Sequence, residues 1–106
     1  MFELISFGYI HNEAEEGHNQ PPIADITIDL RQHIRDADAD TFALVGTTAA
    51  MLAAYGGGSP RPVTVAIGNK TGQHAAPGFV EALSDRLIAG GYTTNVYHRD
   101  LAAAAA

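Results

Sequence analysis

The chain has 106 residues, 46% of them hydrophobic and 17% charged, and it contains neither cysteine nor tryptophan. This length excludes two domains and allows one core of modest depth, so we expect no buried cofactor, while the lack of cysteine excludes disulfides, cysteine-ligated metals and a thiol nucleophile. Twelve acidic and six basic residues give a net charge of −6, which argues against non-specific nucleic-acid binding. No apolar run approaches a membrane span and the first residues lack the basic stretch of a signal peptide, so we expect a cytoplasmic protein that does not contact membranes.

The first half of the chain predicts two strands and a helix. Residues 2–10 and 24–30 alternate apolar and polar or β-prone side chains, which is typical of strands. Between them, residues 12–22 collect Asn, Glu, Gly, His and a proline pair, a composition typical of an exposed loop. Asp40 is suited to cap a helix with three-four apolar spacing that three consecutive glycines, residues 56–58, would end.

The second half predicts a strand, a helix and a strand. Residues 62–68 form a nearly all-apolar run that ends in glycine, as expected of a central parallel strand. Pro77 fits the first turn of a helix whose buried stripe ends before the glycines at 90–91. Residues 93–98 then predict the last strand.

The predicted order is therefore β-β-α-β-α-β, an α/β fold with a small, mostly parallel four-stranded sheet and packed helices. The strand-helix-strand unit is expected to cross over right-handed. We assign residues 1–101 to a single domain and leave the alanine tail, residues 102–106, without a role. Exposed sheet edges in so small a domain favour a homo-oligomer.

Candidate binding residues gather at one predicted edge of this sheet. Ligands of open parallel sheets bind outside the carboxyl ends of the strands, where helix N-termini attract anions. The loop after the third strand contains two glycines and polar residues of the kinds that approach phosphates: Gly68, Lys70, Thr71, Gly72 and His74. Its spacing differs from that of a Walker A loop. We expect Arg31, His98 and Arg99 to converge on the same edge and to complete an anion site.

The order of several short segments resembles the C-terminal domain of the RNase adapter RapZ, including free-standing versions of that domain. The resemblance covers nearly the whole chain, with a shorter connection before the first helix. The segments are Ser6-Phe7-Gly8-Tyr9, Asp29-Leu30-Arg31, Thr64-Val65-Ala66-Ile67-Gly68, Gly72-Gln73-His74 and His98-Arg99.

This resemblance implies an α/β domain similar to a sugar-phosphate-binding portion of phosphofructokinase. In RapZ the domain self-associates, binds small RNAs and senses glucosamine-6-phosphate. The family loop reads Gly-Cys-Thr-Gly-Gly-Lys-His-Arg-Ser, and here only Gly68, Gly72 and His74 match it. The resemblance therefore implies an anion site built around these residues.

The departures from the family loop remove specific chemistry. The family's lysine, arginine and serine positions are Gln73, Ala75 and Ala76, while Lys70 restores one cation at another position. Since a hydrogen bond to a charged group contributes about 1.5–3 kcal/mol, losing two cations weakens phosphate binding unless other groups compensate. Asn69 replaces the cysteine, which excludes cysteine-based phosphatase chemistry.

The other candidates have a structural interpretation beside the functional one. His98 and Arg99 are equally consistent with a solvated strand end, and Asp29 with Arg31 is at least as consistent with a structural ion pair. His11 and His18 lie among acidic residues, but their spacing is irregular and we expect no metal site. Because no nucleophile-base pairing is recognisable, we expect no catalytic residue and no enzyme.

Two hypotheses remain from the sequence. The first is a non-enzymatic binding module of the RapZ C-terminal type that binds an anionic ligand, a phosphosugar or an RNA phosphate, at the strand ends. The alternative is a protein-interaction or regulatory module in which the ligand site has decayed.

Overall fold

A computed structural model describes residues 1–9, 20–31 and 39–101 of the chain, with the backbone alone for residues 39–42. The described elements follow the predicted order: β1 (Phe2–Gly8), β2 (Ile26–Asp29), α1 (Ala39–Gly56), β3 (Val63–Asn69), α2 (Ala75–Ala89) and β4 (Thr94–His98). The interpretations made for His11, His18 and the tail at 102–106 lie outside the described residues, as does most of the predicted loop at 12–22.

The four strands form one sheet in the order β2-β3-β1-β4, and every pairing is parallel. The predicted α/β class with a mostly parallel sheet is thus confirmed, and the sheet is parallel throughout. In the register Ser6 lies between Ile67 of β3 and His98 of β4, and Phe7 lies beside Gly68. The carboxyl ends of all four strands therefore meet at one edge.

Both helices cover the same face of the sheet. α2 packs against β1, β3 and β4, and α1 packs against α2. Their buried residues join alternate strand residues in one core, made of Phe2, Leu4, Leu30, Val45, Leu52, Val63, Val65, Ile67, Ala76, Phe79, Val80, Leu83 and Leu87. When two right-handed crossovers proceed in the same direction across a sheet, their helices lie on the same face of that sheet.

The sequence at the ends of the helices explains where they begin and end. α1 ends at Gly56, the first of the three glycines. Pro77 is the third residue of α2, in the first turn, where backbone N–H groups have no acceptor within the helix and a missing N–H therefore removes no hydrogen bond. Gly90 follows α2, and its N–H donates to the carbonyls of Arg86 and Leu87, each at 3.1 Å. Because α2 begins shortly after β3 ends, its amino terminus lies at the carboxyl edge of the sheet.

The opposite face of the sheet is crossed by part of the connection between β1 and β2. At one end, the Gln20 carbonyl accepts a hydrogen bond of 2.5 Å from Arg99 Nη1, just beyond β4. At the other, the Asp25 N–H donates to the Thr64 carbonyl at 2.9 Å, beside the start of β2. Residues 20–25 therefore run from the carboxyl edge near β4 to the beginning of β2.

Candidate functional site

The loop after β3 is held in shape by the side chain of Asn69. Its Oδ1 accepts a hydrogen bond from the Gly72 N–H at 2.8 Å, and its Nδ2 donates to the Gln73 carbonyl at 2.9 Å. Thr71 Oγ1 accepts from the Gln73 N–H at 3.4 Å. Asn69 thus closes the loop on itself.

Two glycines let this loop lie directly against the end of β1. Gly72 has φ of +75°, and a Cβ there would lie 2.8 Å from both Asp100 Cβ and Gly8 N. A Cβ on Gly8 would in turn lie 2.7 Å from Gly72 N. Backbone therefore meets backbone at this point, which explains glycine at both positions.

Gly68 is glycine for a different reason, because aromatic rings cover its backbone. A Cβ at Gly68 would lie 2.6 Å from Tyr9 Cε2 and 2.7 Å from Phe7 Cε2. Phe7 and Tyr9 pack with ring centroids 4.8 Å apart. The predicted glycine thus makes room for these two rings beside the end of β3.

Asp100 is the buried carboxylate that joins the parts of this edge. Its Oδ2 accepts from the Gly8 N–H at 2.8 Å and lies 2.7 Å from Arg99 Nη2. Its backbone carbonyl accepts from Gln73 Nε2 at 2.5 Å. The ends of β1 and β4 and the loop after β3 are therefore fastened at one residue.

The Arg99 guanidinium is surrounded by protein acceptors. Besides Asp100, it donates from Nη1 to the Gln20 carbonyl and from Nη2 to the Gly8 carbonyl, at 2.5 and 3.3 Å. The guanidinium carbon lies 5.4 Å from the centre of the Phe7 ring. Arg99 is thus positioned on the face opposite the helices, with its charge balanced by Asp100.

Arg31 is also paired with a carboxylate on that opposite face. Its Nη2 lies 2.7 Å from Asp29 Oδ2, and its guanidinium carbon lies 3.7 Å from the centre of the Tyr9 ring. The hydrogen bond to Asp29 raises the pKa of Arg31, and burial, followed by the charge of Asp29, raises the pKa of Tyr9 above 10.0. Of the two interpretations of Asp29 and Arg31, the structure contains the ion pair.

His98 lies on the helix-covered face and is held at both ring nitrogens. Nδ1 is 2.7 Å from the Ser6 hydroxyl, which is fully buried, and Nε2 is 2.8 Å from Glu81 Oε1 of α2. The side chain of His98 is 19% exposed and that of Glu81 61% exposed. Ser6 and Glu81 therefore fix the plane of the imidazole.

Lys70 and His74 are the basic side chains of this loop. Both are exposed, and neither side chain has a hydrogen bond or an ion pair to any residue that the structure describes. His74 has φ of +55° at the N-cap of α2, and its side chain makes no capping hydrogen bond. The first turn of α2 contains no acidic residue. The partial positive charge of this helix end is therefore not neutralised by its own first turn.

The structure brings only part of the predicted set together. Gly68, Lys70, Thr71, Gly72 and His74 form one loop at the beginning of α2. His98 lies on the helix-covered face beside α2, whereas Arg31 and Arg99 lie on the other face with carboxylate partners. Within residues 1–9, 20–31 and 43–101, the exposed basic side chains at this edge that have no hydrogen bond or ion pair to a described residue are those of Lys70 and His74.

Sequence reasoning missed four side chains that shape this edge: Ser6, Asn69, Glu81 and Asp100. Asn69 could have been found, since an asparagine just before a turn commonly accepts from the backbone further along. Nothing in the sequence marks Asp100 as buried, because its contact with Gly8 depends on how β1 and β4 pair. Nothing marks Glu81 as the partner of His98 either, because that contact depends on how α2 packs on β4.

The opposite edge of the sheet carries a separate groove of about 490 Å³. It lies at the amino ends of β1 and β3 and is lined by Glu3, Asp25, Tyr55, Arg61 and Thr64, among others. Glu3 accepts a hydrogen bond from the Thr64 hydroxyl at 3.2 Å, and Asp25 accepts from the Thr64 N–H at 2.8 Å. None of the candidate binding residues of the sequence analysis lines this groove.

No group of three or more metal-ligating side chains is found within the described part of the chain. No helix there is both long and apolar enough to cross a membrane.

Comparison with known proteins found no matching family model and no matching curated protein.

Proposed function

We propose that this domain is a non-enzymatic binding module of the RapZ C-terminal type that holds a phosphate group at the carboxyl edge of its sheet. The observation that carries the proposal is the pair of unpaired, exposed side chains, Lys70 and His74, beside an α2 amino terminus without acidic residues. Backbone N–H groups and the helix dipole favour an anion there, and Lys70 adds a full positive charge.

The rigid surroundings of the loop support the same proposal. Asn69 and Asp100 fix the backbone on both sides of Gly72, so little conformational entropy remains to be lost when a ligand binds. Thr71 adds a hydroxyl on the same loop. Lys70 takes over part of what the family's lysine and arginine positions, here Gln73 and Ala75, no longer supply.

The phosphate has two candidate sources, a phosphosugar and RNA. The net charge of −6 favours the small ligand, because RNA affinity depends on neutralising several phosphates and the described edge offers, besides the imidazole of His74, the single unpaired positive charge of Lys70. Both ligands are intracellular, so the proposal places the domain in the cytoplasm. The outer strands β2 and β4 leave sheet edges for a homo-oligomer.

The test is a thermal-shift series with glucosamine-6-phosphate, other hexose phosphates, inorganic phosphate and sulfate. We expect a saturable rise in melting temperature that Lys70→Ala and His74→Ala each reduce. Arg61→Ala is the matched control, because Arg61 is an exposed cation in the groove at the opposite edge. Equal responses in all variants, or none in the wild type at millimolar ligand, would contradict the proposal.

A second arm separates the two sources of phosphate. Binding of a short single-stranded RNA is measured across a salt series, where displaced counterions give a steep loss of affinity if RNA is the ligand. Hexose-phosphate binding without a salt-dependent RNA complex assigns the site to a small molecule.

The alternative function, a protein-interaction or regulatory module, is favoured by one observation. Arg31 and Arg99, two of the predicted ligand cations, are each paired with a carboxylate of the protein itself. This alternative predicts no response to any phosphate and a protein captured in a pull-down.

A further inference from the structure

His98 differs from Lys70 and His74 because its side chain already has a hydrogen bond to a carboxylate of the protein. Glu81 Oε1 lies 2.8 Å from Nε2. An ionised carboxylate only accepts hydrogen bonds, so Nε2 carries the hydrogen and donates it to Glu81. The N–H that His98 would offer to an anion is thus engaged in the ligand-free domain.

The two partners of His98 are held very differently. Ser6 is fully buried in β1 and fixes Nδ1 at 2.7 Å, so the imidazole stays in place. The Glu81 side chain is 61% exposed. Glu81 is therefore able to rotate into solvent without losing core packing, whereas the imidazole is not.

A phosphate oxygen makes the same kind of charge-assisted hydrogen bond to an imidazole N–H as a carboxylate oxygen does. Glu81 is the seventh residue of α2, within the first two turns after the loop that contains Lys70 and His74. Its negative charge also repels an anion approaching this edge.

We propose that Glu81 is an internal anion that occupies His98 in the ligand-free domain and is displaced by the phosphate of the ligand. This inference rests on the proposed function, because it assumes phosphate binding at this edge. Phosphate binding then breaks the hydrogen bond between Glu81 and His98 and forms one between phosphate and His98, so only the difference in free energy between these two hydrogen bonds contributes to affinity. Glu81 therefore sets both the strength of binding and the choice of anion. A weakly bound anion leaves Glu81 in place.

The test measures the Kd of inorganic phosphate and of glucosamine-6-phosphate by calorimetry at one fixed ionic strength. We expect Glu81→Ala to tighten binding by about two- to fivefold, the factor that corresponds to one exposed carboxylate contact. Glu81→Gln removes the charge but keeps an acceptor for Nε2, so we expect a smaller gain. Unchanged melting temperatures of the free variants check that the fold is intact.

Asp85→Ala is the matched control. Asp85 is an exposed carboxylate one helical turn further along α2, without a hydrogen bond or an ion pair to any described residue. We expect its removal to leave both Kd values unchanged. A second readout follows the ring nitrogens of His98 by NMR, where phosphate is expected to shift Nε2 in the wild type.

The outcomes separate this inference from the proposed function. If the wild type binds phosphate and Glu81→Ala binds equally or more weakly, the role of Glu81 is wrong and phosphate binding stands. If Asp85→Ala tightens binding as much as Glu81→Ala, the effect is general charge repulsion and the inference is wrong. If neither the wild type nor Glu81→Ala binds phosphate, both proposals are wrong.

Discussion

Gly72 is the residue on which the shape of the candidate site depends most directly. Its φ of +75° is a conformation that other residues rarely adopt, and a Cβ there would lie 2.8 Å from both Gly8 N and Asp100 Cβ, closer than van der Waals contact allows. The loop therefore cannot keep its place against β1 with any larger residue at this position.

We expect Gly72→Ala to lower the free energy of unfolding by about 1–3 kcal/mol from the positive φ alone, with a further loss from overlap at Gly8. Urea denaturation followed by circular dichroism measures the change. Gly58→Ala is the control, since a Cβ at Gly58 meets no atom within 4 Å, and we expect a change below about 0.5 kcal/mol. Equal stability of the two variants would contradict the assigned loop geometry.

At the scale of single residues, the sequence predicted the types of side chain at this edge better than their partners. Gly72 and His74 lie where the loop pattern predicted them. Arg99 was predicted as a ligand cation, yet its guanidinium is engaged by Asp100 and by carbonyls of Gln20 and Gly8. Asp100 is the next residue in the chain, but Gln20 and Gly8 are far from Arg99 in sequence, so only the fold reveals those two acceptors.

At the scale of elements, Asp100 links the end of the central strand β1, the end of the outer strand β4 and the loop after β3. It bonds to the Gly8 N–H of β1 and to Arg99 just after β4, while its carbonyl accepts from Gln73. Removing the carboxylate leaves the buried Gly8 N–H without its acceptor and the Arg99 guanidinium without the carboxylate that balances its charge.

We expect Asp100→Ala to lower the free energy of unfolding by about 3 kcal/mol. Asp29→Ala is the matched comparison, because it removes the carboxylate of the other Arg–Asp pair, whose side chains are 40% and 39% exposed. Its loss is expected to be much smaller, since exposed pairs are screened by water. Chemical denaturation of both variants measures the two free energies of unfolding. A larger loss of stability for Asp29→Ala than for Asp100→Ala would refute the prediction.

The elements themselves were largely predictable from local pattern. The all-apolar run around Val65 predicted a central strand, and β3 is central with Val65 and Ile67 fully buried. The predicted strand 24–30 is shorter in the structure, Ile26–Asp29, because pairing with β3 ends at Gly68. The order β2-β3-β1-β4 could not be read from the sequence, since strand order depends on which crossovers fit together.

At the scale of the whole molecule, the two edges of the sheet differ in chemistry. The carboxyl edge combines the α2 amino terminus with unpaired Lys70 and His74, whereas the groove at the other edge is lined by the carboxylates of Glu3 and Asp25 as well as by Arg61. In a chain with a net charge of −6, an anion is therefore expected at the carboxyl edge and not at the other.

The most direct test of this account is an NMR titration of the ¹⁵N-labelled domain with glucosamine-6-phosphate and with inorganic phosphate. We predict saturable shifts of the backbone amides in the loop and first turn of α2, residues 70–76, with the amides of Arg61 and Thr64 unchanged. Saturable shifts confined to the groove at the opposite edge, or no saturable shift at millimolar ligand, would contradict phosphate binding at the carboxyl edge.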